Sequence, residues 1–233
     1  ALALEMRTQG ATRTVAATHV LVATGRTLNV DTLALDAAGV HVEHGRPVLD
    51  DRLRTTQRHI FAIGDAAGGY QFTHVAEHQA GVVLRHAIFR MAWAKPSAVV
   101  PWCTYTDPEL ARVGLSEAEA VARGLDHRVY RFPFADIDRA QADGDTAGFA
   151  KLVTDPKGRL LGAAIVGPHA GELIAEYGLA LAKGMTAADV SGAIHAYPTL
   201  ASISRRVADQ RQKERLTPNA RRWIQRLFRL QGD

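Results

Sequence analysis

The chain has 233 residues, 47% of them hydrophobic and 22% charged, which is the composition of a globular protein with a core and excludes a disordered or fibrous chain. Its one cysteine, Cys103, excludes an intramolecular disulphide and a cysteine-only metal site, and it favours a cytoplasmic location. The net charge of +4 is uneven, because residues 205–229 hold nine basic and two acidic side chains, so a nucleic-acid or membrane-surface role concerns this tail alone.

The amino-terminal part is predicted to consist mainly of short strands. Four segments have an alternating or continuous apolar pattern, and the last two are typical of strands buried on both faces: residues 1–10, 11–18, 19–23 and 58–63. The first segment ends in a predicted turn at Gln9-Gly10, and residues 39–48 predict a hairpin with its turn at His44-Gly45. A helical pattern runs from Thr73 to about Ala92.

The chain is expected to be part of a longer, soluble protein. It has no initiator Met and opens inside a strand-like pattern, and it shows no signal peptide. Its apolar runs are all shorter than the roughly 18 residues of a membrane-spanning helix. A break at Ala94-Lys-Pro96 followed by Pro101 predicts a domain boundary near residues 95–100.

The second domain is predicted to be an antiparallel sheet covered by helices on one side, which makes the fold class α+β. Ser116 and Glu119 have the spacing of a capping box, and Thr186 with Asp189 predicts a second helix start. The Asp155–Gly158 segment has the composition of a tight turn. Around these signals, strands are predicted at 102–106, 128–134, 149–154 and 160–166, and helices at 116–124, 172–183 and from 186 onward.

The first candidate site is at the end of the second predicted buried strand. That strand delivers Gly64 and Asp65 to its carboxyl end, where open α/β sheets bind their ligands. Glycine permits close approach of the backbone to a ligand, and a carboxylate accepts hydrogen bonds from sugar-like hydroxyls. Thr73 then opens a helix whose free N–H groups favour an anionic group. Taken alone, the pattern is also compatible with a turn followed by an ordinary helix start.

Several motifs, in order and spacing, resemble the pyridine-nucleotide disulphide oxidoreductases. In the first domain these are Ala23-Thr-Gly-Arg26, Asn29, Gly39-Val40, Thr55 and Ile63-Gly-Asp65, which resemble the end of that family's NAD(P)-binding domain and the return segment of its FAD-binding domain. In the second they are Pro101, Thr104 to Pro108, Val113 to Ser116, Gly148 to Lys151, Leu161-Gly162, Ala170 to Glu172 and Tyr197 to Leu200, which resemble its dimerisation domain.

The resemblance implies specific ligands for the first domain. Asp65 corresponds to the aspartate that binds the ribityl chain of FAD, with Gly64 beside it. Thr73 corresponds to the residue whose backbone amide meets the pyrimidine edge of the flavin, and Gly25 to the glycine whose amide faces the nicotinamide nucleotide. The implied cofactors are therefore FAD and NAD(P)H, bound by a region that includes residues 1–95.

The resemblance also implies the reaction and the assembly. Electrons pass from NAD(P)H through flavin and a cysteine pair to a small-molecule acceptor, and residues 100–205 build a homodimer. The glycine-rich fingerprints and the cysteine pair of the family are absent from this sequence, since they belong to the family's amino-terminal half. The chain is thus expected to be the carboxy-terminal part of such an enzyme. The alternative is a non-catalytic dimerisation module.

The segment that is expected to face the electron acceptor differs from the same segment in the thiol-reducing members of the family. Those have a histidine before the proline of the Pro-Thr-Leu segment and a glutamate five positions later, whereas this chain has Tyr197 and Ser202. A tyrosine, with a pKa near 10, is a poor base for a thiol at neutral pH but a good hydrogen-bond donor. This tyrosine resembles mercuric reductase, although the terminal cysteine pair of that enzyme is missing. His195, two residues before Tyr197, is either a substitute base on the same face of an extended segment or an ordinary polar residue.

The remaining candidates are weaker. Cys103 is expected to be a small buried hydrophobe, and His74 with His78 forms a pair without an evident third metal ligand. The tail, residues 206–233, contains Trp223 and other apolar side chains at helical spacing among arginines: Ile224, Leu227, Phe228 and Leu230. Such a helix could lie on an anionic membrane or pack on its own protein. Nucleic-acid binding is not expected, for want of a recognised module.

Overall fold

The amino-terminal unit, which ends at Lys95, begins with an antiparallel hairpin. Strand β1 (Leu2–Thr8) pairs with β2 (Ala11–Ala17) from Leu2 opposite Ala17 to Thr8 opposite Ala11. The computed structural model describes residues 2–8 and 10–228, so Gln9 of the predicted turn lies outside the described residues. The two strand predictions at the start of the chain are confirmed.

A second, very short hairpin follows. Strands β3 (Val42–Glu43) and β4 (Arg46–Pro47) are joined by His44 and Gly45, whose φ angles of 51° and 74° are those of the predicted two-residue turn.

Two predicted buried strands are absent from the described residues. Residues 19–23 form no strand, and Leu21 is 90% exposed. Residues 58–63 contribute only an isolated bridge between Phe61 and Arg54. The predictions were wrong for this chain because an interior strand is stabilised by hydrogen-bonded neighbours on both sides. No described strand pairs with residues 19–23, and residues 58–63 have a short partner on one side, where the Thr55 N–H bonds to the Ile60 carbonyl and the Ala62 N–H to the Leu53 carbonyl.

One long helix completes this unit. Helix α1 (Thr73–Ala87) starts where predicted but ends five residues before Ala92. Its Val82 is fully buried and packs with Leu53 and Ala94 in a small core of its own.

The second unit, from Pro96 onward, is built on a five-stranded sheet with the strand order β5-β6-β9-β8-β7. All neighbouring pairs are antiparallel, as predicted. The strands are β5 (Trp102–Thr104), β6 (Glu109–Gly114), β7 (Arg128–Pro133), β8 (Phe149–Thr154) and β9 (Leu160–Gly167). Sequence analysis missed β6, because Glu109 and Arg112 interrupt its apolar pattern.

Helices cover this sheet. They are α2 (Glu117–Ala122), α3 (Asp138–Asp143), α4 (Ala170–Ala182), α5 (Ala187–Gly192) and α6 (Ser202–Arg215). The predicted capping box of Ser116 with Glu119 is present. The predicted helix start at Thr186 is confirmed too, and there Thr186 and Asp189 form a second capping box. The fully buried Tyr177 of α4 donates its hydroxyl to the Ser204 carbonyl at 3.1 Å and so joins α4 to α6. The predicted α+β class, with an antiparallel sheet covered by helices, is confirmed, although α3 was not predicted.

The chain continues into two helices rather than one tail. Helix α6 runs through residue 206 without a break, and its Val207 and Ala208 are buried in the core of the second unit. The segment that lies outside this core therefore begins near Leu216 rather than at residue 206. Helix α7 (Pro218–Phe228) follows. The last part of the predicted amphipathic tail, including Leu230, lies outside the described residues.

Candidate functional site

Gly64 and Asp65 lie in a short 3-10 turn, Gly64–Ala67, which is separated from α1 by residues 68–72. Gly64 is buried with a φ of 62°, and its N–H donates to Oε1 of Gln79 at 2.7 Å. A Cβ at this position would lie 3.1 Å from the Cβ of Ala76. Glycine is thus favoured here both by the left-handed conformation and by the close approach of the turn to α1.

The carboxylate of Asp65 faces outward from this turn. It accepts a hydrogen bond at 2.9 Å from Nη1 of Arg26, which comes from the Ala23-to-Arg26 segment 39 residues earlier. The Asp65 side chain is still 37% exposed, so oxygen lone pairs remain for a ligand. Gly25, next to Arg26, has a φ of 146° and open space where a Cβ would be. The structure therefore brings two of the predicted ligand-binding segments together.

The start of α1 is open. Thr73 is exposed, the preceding Phe72 makes no side-chain cap, and the first turn has no acidic residue. Backbone N–H groups at such an end are available to an electron-rich partner. An exposed carboxylate that accepts from hydroxyls, followed by an uncapped helix start, fits the ribityl chain and pyrimidine edge of a flavin. These residues are thus chemically suited to FAD.

His195 makes two polar contacts. Its Nε2 lies 3.0 Å from Oε1 of Glu176 in α4, and its Nδ1 lies 3.1 Å from the Ala193 carbonyl oxygen. The side chain is only 8% exposed. Both ring nitrogens of His195 are therefore already in contact with acceptor oxygens of the protein.

Tyr197, unlike the nearly buried His195, lies on the surface. It is 76% exposed, and a hydrogen bond to Asp138, with the charge of that carboxylate, raises the pKa of its phenol. The neutral hydroxyl is therefore the form present at neutral pH. Ser202 donates its Oγ to the Thr199 carbonyl at 2.7 Å, a contact that belongs to the start of α6.

These side chains share one surface pocket. It is lined by His195, Ala196, Tyr197, Ser202, Arg205 and Arg206. The two arginines give the pocket a positive character that sequence analysis missed. Arg205 is partly compensated by Asp209, 3.8 Å away. The signal was available in the sequence, since Arg205 and Arg206 lie close after the Pro-Thr-Leu segment, near the start of α6.

Cys103 lies 3.9 Å from Oε2 of Glu109. Burial, and then the Glu109 carboxylate, raise the pKa of the thiol. A neutral thiol is a poor nucleophile, and this environment favours a structural role.

The His74–His78 pair and the helices bear on the two remaining candidates, a metal site and a membrane span. His74 of the His74–His78 pair stacks on Phe72 at 5.2 Å between ring centroids. Across residues 2–8 and 10–228, no group of three or more His, Cys, Asp or Glu side chains forms that could hold a metal ion. Each helix in this described part of the chain is too short or too polar to span a bilayer.

Comparison with known proteins gives matches over most of the chain. Residues 3–80 match the family model of pyridine nucleotide-disulphide oxidoreductases, and residues 100–207 match the model of their dimerisation domain. Relatives include dihydrolipoyl dehydrogenase of Geobacillus stearothermophilus, 41% identical over 202 residues, which are 86% of this chain and 43% of that protein. They also include mycothione reductase of Mycobacterium tuberculosis, 40% identical over 197 residues, which are 82% of this chain and 43% of that protein.

Solved structures agree with these matches. The HOCl-induced flavoprotein disulfide reductase RclA from Escherichia coli has a TM-score of 0.77 and 29% identity, over 88% of this chain and 47% of that one. LpdA from Mycobacterium tuberculosis has a TM-score of 0.79 and 27% identity, over 85% of this chain and 44% of that one. The chain therefore spans less than half the length of the proteins it matches.

Proposed function

This chain belongs to the pyridine nucleotide-disulphide oxidoreductase family, and from that premise we propose that the whole protein is an FAD-dependent NAD(P)H oxidoreductase. Bound FAD would accept a hydride from the nicotinamide and pass electrons on to a disulphide, a quinone or a metal ion. This chain would supply part of the cofactor-binding region, residues 1–95, and the dimerisation domain. The observation that carries the proposal is the exposed Asp65 carboxylate before the uncapped start of α1, within a segment that matches the family model.

In this proposal each candidate cofactor-binding residue of the first unit has a defined role. Asp65 accepts hydrogen bonds from hydroxyls of the ribityl chain, and Gly64 fixes the turn that presents it. The backbone amide of Thr73 faces the pyrimidine edge, where the positive end of α1 stabilises negative charge. The amide of Gly25 faces the nicotinamide nucleotide. Arg26 orients the Asp65 carboxylate through their 2.9 Å contact.

The acceptor is proposed to be one whose reduction needs no histidine base. Tyr197 occupies the position of the base in thiol-handling members, and Ser202 bonds to backbone instead of orienting a base. His195 is engaged on both nitrogens. Tyr197 has one O–H, which donates to Asp138 in this structure, and an exposed phenol can turn this donor to an oxygen or a metal-bound thiolate of the acceptor instead. This favours the mercuric-reductase-like alternative, a metal ion or quinone, and solved structures of RclA include a Cu(II) complex.

A homodimer is proposed as the active assembly. The second unit matches a dimerisation domain, and around its pocket Ile194 is 99% exposed and Tyr197 76% exposed. Apolar side chains so accessible are typical of surfaces that a partner covers. A second copy of the chain would cover them and bring Tyr197 towards the flavin of its partner.

The test uses the protein encoded by the complete reading frame. We expect a yellow protein that oxidises NAD(P)H faster with Cu(II) or a quinone than with lipoamide. Replacing Tyr197→His together with Ser202→Glu should raise turnover with lipoamide, because it restores a base and its orienting carboxylate. Tyr197→Phe is the control, since it removes the hydroxyl and adds no base.

A colourless protein, inactive with every acceptor, would overturn the enzyme proposal and leave the dimerisation module. A yellow protein that reduces lipoamide well, and whose turnover falls in the Tyr197→His, Ser202→Glu variant, would overturn the acceptor assignment alone.

A further inference from the structure

The local sequence of helix α7 (Pro218–Phe228) favours helix formation. Thr217 accepts a hydrogen bond from the Ala220 N–H at 3.2 Å, and Pro218 occupies the first helical position, where its missing N–H costs nothing. None of the side chains of α7 belongs to either buried core cluster. The helix therefore forms without packing into the core of its own unit.

The two faces of α7 differ sharply. One carries apolar side chains at positions i, i+3, i+4 and i+7, namely Ala220, Trp223, Ile224 and Leu227, with Phe228 at its edge. Three of them are largely exposed: Trp223 at 64%, Leu227 at 55% and Phe228 at 65%. The other face carries Arg221, Arg222 and Arg226. The sequence from 216 to 230 contains four arginines and no acidic residue.

The arginines of α7 differ from nearby basic residues whose contacts stabilise the fold. Arg211 in α6 is buried, donates to the Pro156 carbonyl at 3.0 Å and belongs to the fold of the second unit. Arg205 is compensated by Asp209. Within α7, Arg222 donates to a neutral partner, the Asn219 amide oxygen. The positive charge of α7 is thus not neutralised within the helix.

We propose that α7 is an anionic-lipid docking helix that lies in the plane of a membrane surface, with the Trp223 and Leu227 face in the headgroup region and the arginines towards acidic headgroups. A lipid surface satisfies both faces at once, since it offers apolar depth and a diffuse negative charge. Tryptophan is also enriched at this level of a bilayer. A nucleic acid would match the arginines but leave the apolar face in water. If the whole protein is the oxidoreductase proposed above, docking would bring it to lipid-soluble acceptors, but the docking does not depend on that activity.

Co-sedimentation of the complete protein with vesicles tests the proposal. The vesicles are phosphatidylcholine alone, or phosphatidylcholine and phosphatidylserine in a three-to-one mixture. The wild type should pellet with the mixed vesicles, pellet poorly with the neutral ones, and be released by added salt, which screens charge. Arg221→Gln, Arg222→Gln and Arg226→Gln together should weaken partitioning on the order of 100-fold, about fivefold for each arginine.

The apolar face is tested separately. Trp223→Ser with Leu227→Ser should weaken partitioning at least ~10-fold. The matched control replaces three exposed arginines outside the tail, Arg13, Arg58 and Arg123, with Gln and should bind as the wild type does. Far-ultraviolet circular dichroism and flavin absorbance identify any variant that has misfolded.

Three results would overturn the proposal. One is a wild type that stays in the supernatant with mixed vesicles, as expected if α7 packs on its own protein or on an acidic partner protein. The second is equal pelleting of the tail variants and the wild type. The third is equal loss of binding in the control variant, which would assign the effect to net charge.

Discussion

His195 and Glu176 form a polar pair between the segment that precedes α6 and the middle of α4, with 3.0 Å between Nε2 and Oε1. The imidazole is nearly buried, whereas Glu176 is partly exposed. This pair holds the segment on which Tyr197 is exposed, and together with the Ala193 carbonyl it gives each ring nitrogen of His195 a partner within the protein.

A double-mutant cycle tests this pair. His195→Ala and Glu176→Ala should each lower the free energy of unfolding by ~1–2 kcal/mol, since each leaves the other partner unsatisfied. The double variant should cost less than the sum of the two, with a coupling energy of ~0.5–3 kcal/mol. Urea unfolding at one fixed protein concentration measures all four proteins. Additive losses would show that the two side chains do not interact.

Asp65 is predicted to determine flavin affinity. Asp65→Ala removes the carboxylate and should weaken FAD binding about 10- to 100-fold, because hydrogen bonds to charged groups contribute ~1.5–3 kcal/mol. Asp65→Asn retains an acceptor oxygen and should lose less. Equilibrium titration of the apoprotein with FAD, followed by flavin fluorescence, gives the dissociation constants.

Arg26→Gln separates binding from structure. If Asp65 served only to hold Arg26, the Asp65→Ala and Arg26→Gln proteins would bind FAD equally well and differ from the wild type only in stability. The flavin proposal requires the Asp65 variant to have clearly the weaker affinity of the two.

Features encoded within a few residues of chain could be predicted from the sequence. The helix starts at Ser116 and Thr186 and the turn at Gly158 depend on neighbouring residues alone, and all three are present. Residues 19–23 could not be predicted, because an apolar run becomes a strand only when another segment pairs with it. Likewise, no local pattern indicates that Glu176, 19 residues from His195, is its partner.

The raised pKa of the Tyr130 phenol predicts a loss of stability in alkaline solution. Burial, and then its 2.6 Å hydrogen bond to Glu214, raise the pKa of the phenol to about 12. An unfolded tyrosine has a pKa near ~10, so the folded state holds the proton more tightly. The resulting stability is complete below about pH 10 and is lost as the pH rises towards about 12.

The midpoint of urea unfolding should fall more steeply with pH, between about pH 10 and about pH 12, for the wild type than for Tyr130→Phe, which has no phenolic proton. Glu214→Gln should show an intermediate slope, because it removes the second cause of the shift and leaves the burial. Parallel slopes for the wild type and Tyr130→Phe would refute the assignment.

Gly162 is predicted to tolerate no side chain, although its φ is not in the left-handed region. A Cβ there would lie 2.0 Å from the carbonyl oxygen and 2.5 Å from the nitrogen of Leu115, both backbone atoms that cannot move independently. The Leu115 N–H is itself held by the Leu161 carbonyl at 2.9 Å. Gly162→Ala should therefore lower the free energy of unfolding by about 3 kcal/mol or more.

The matched control for this substitution is Gly192→Ala. Gly192 ends α5, its φ is not positive, and the space around its missing Cβ is open. Alanine there should leave stability unchanged or raise it by ~0.4–1 kcal/mol, because it restricts the unfolded chain without a clash. Urea unfolding of the two variants beside the wild type should thus give shifts of opposite sign, or one large loss and no change. Equal losses would indicate that glycine is required for flexibility and not for the contact between Leu115 and β9.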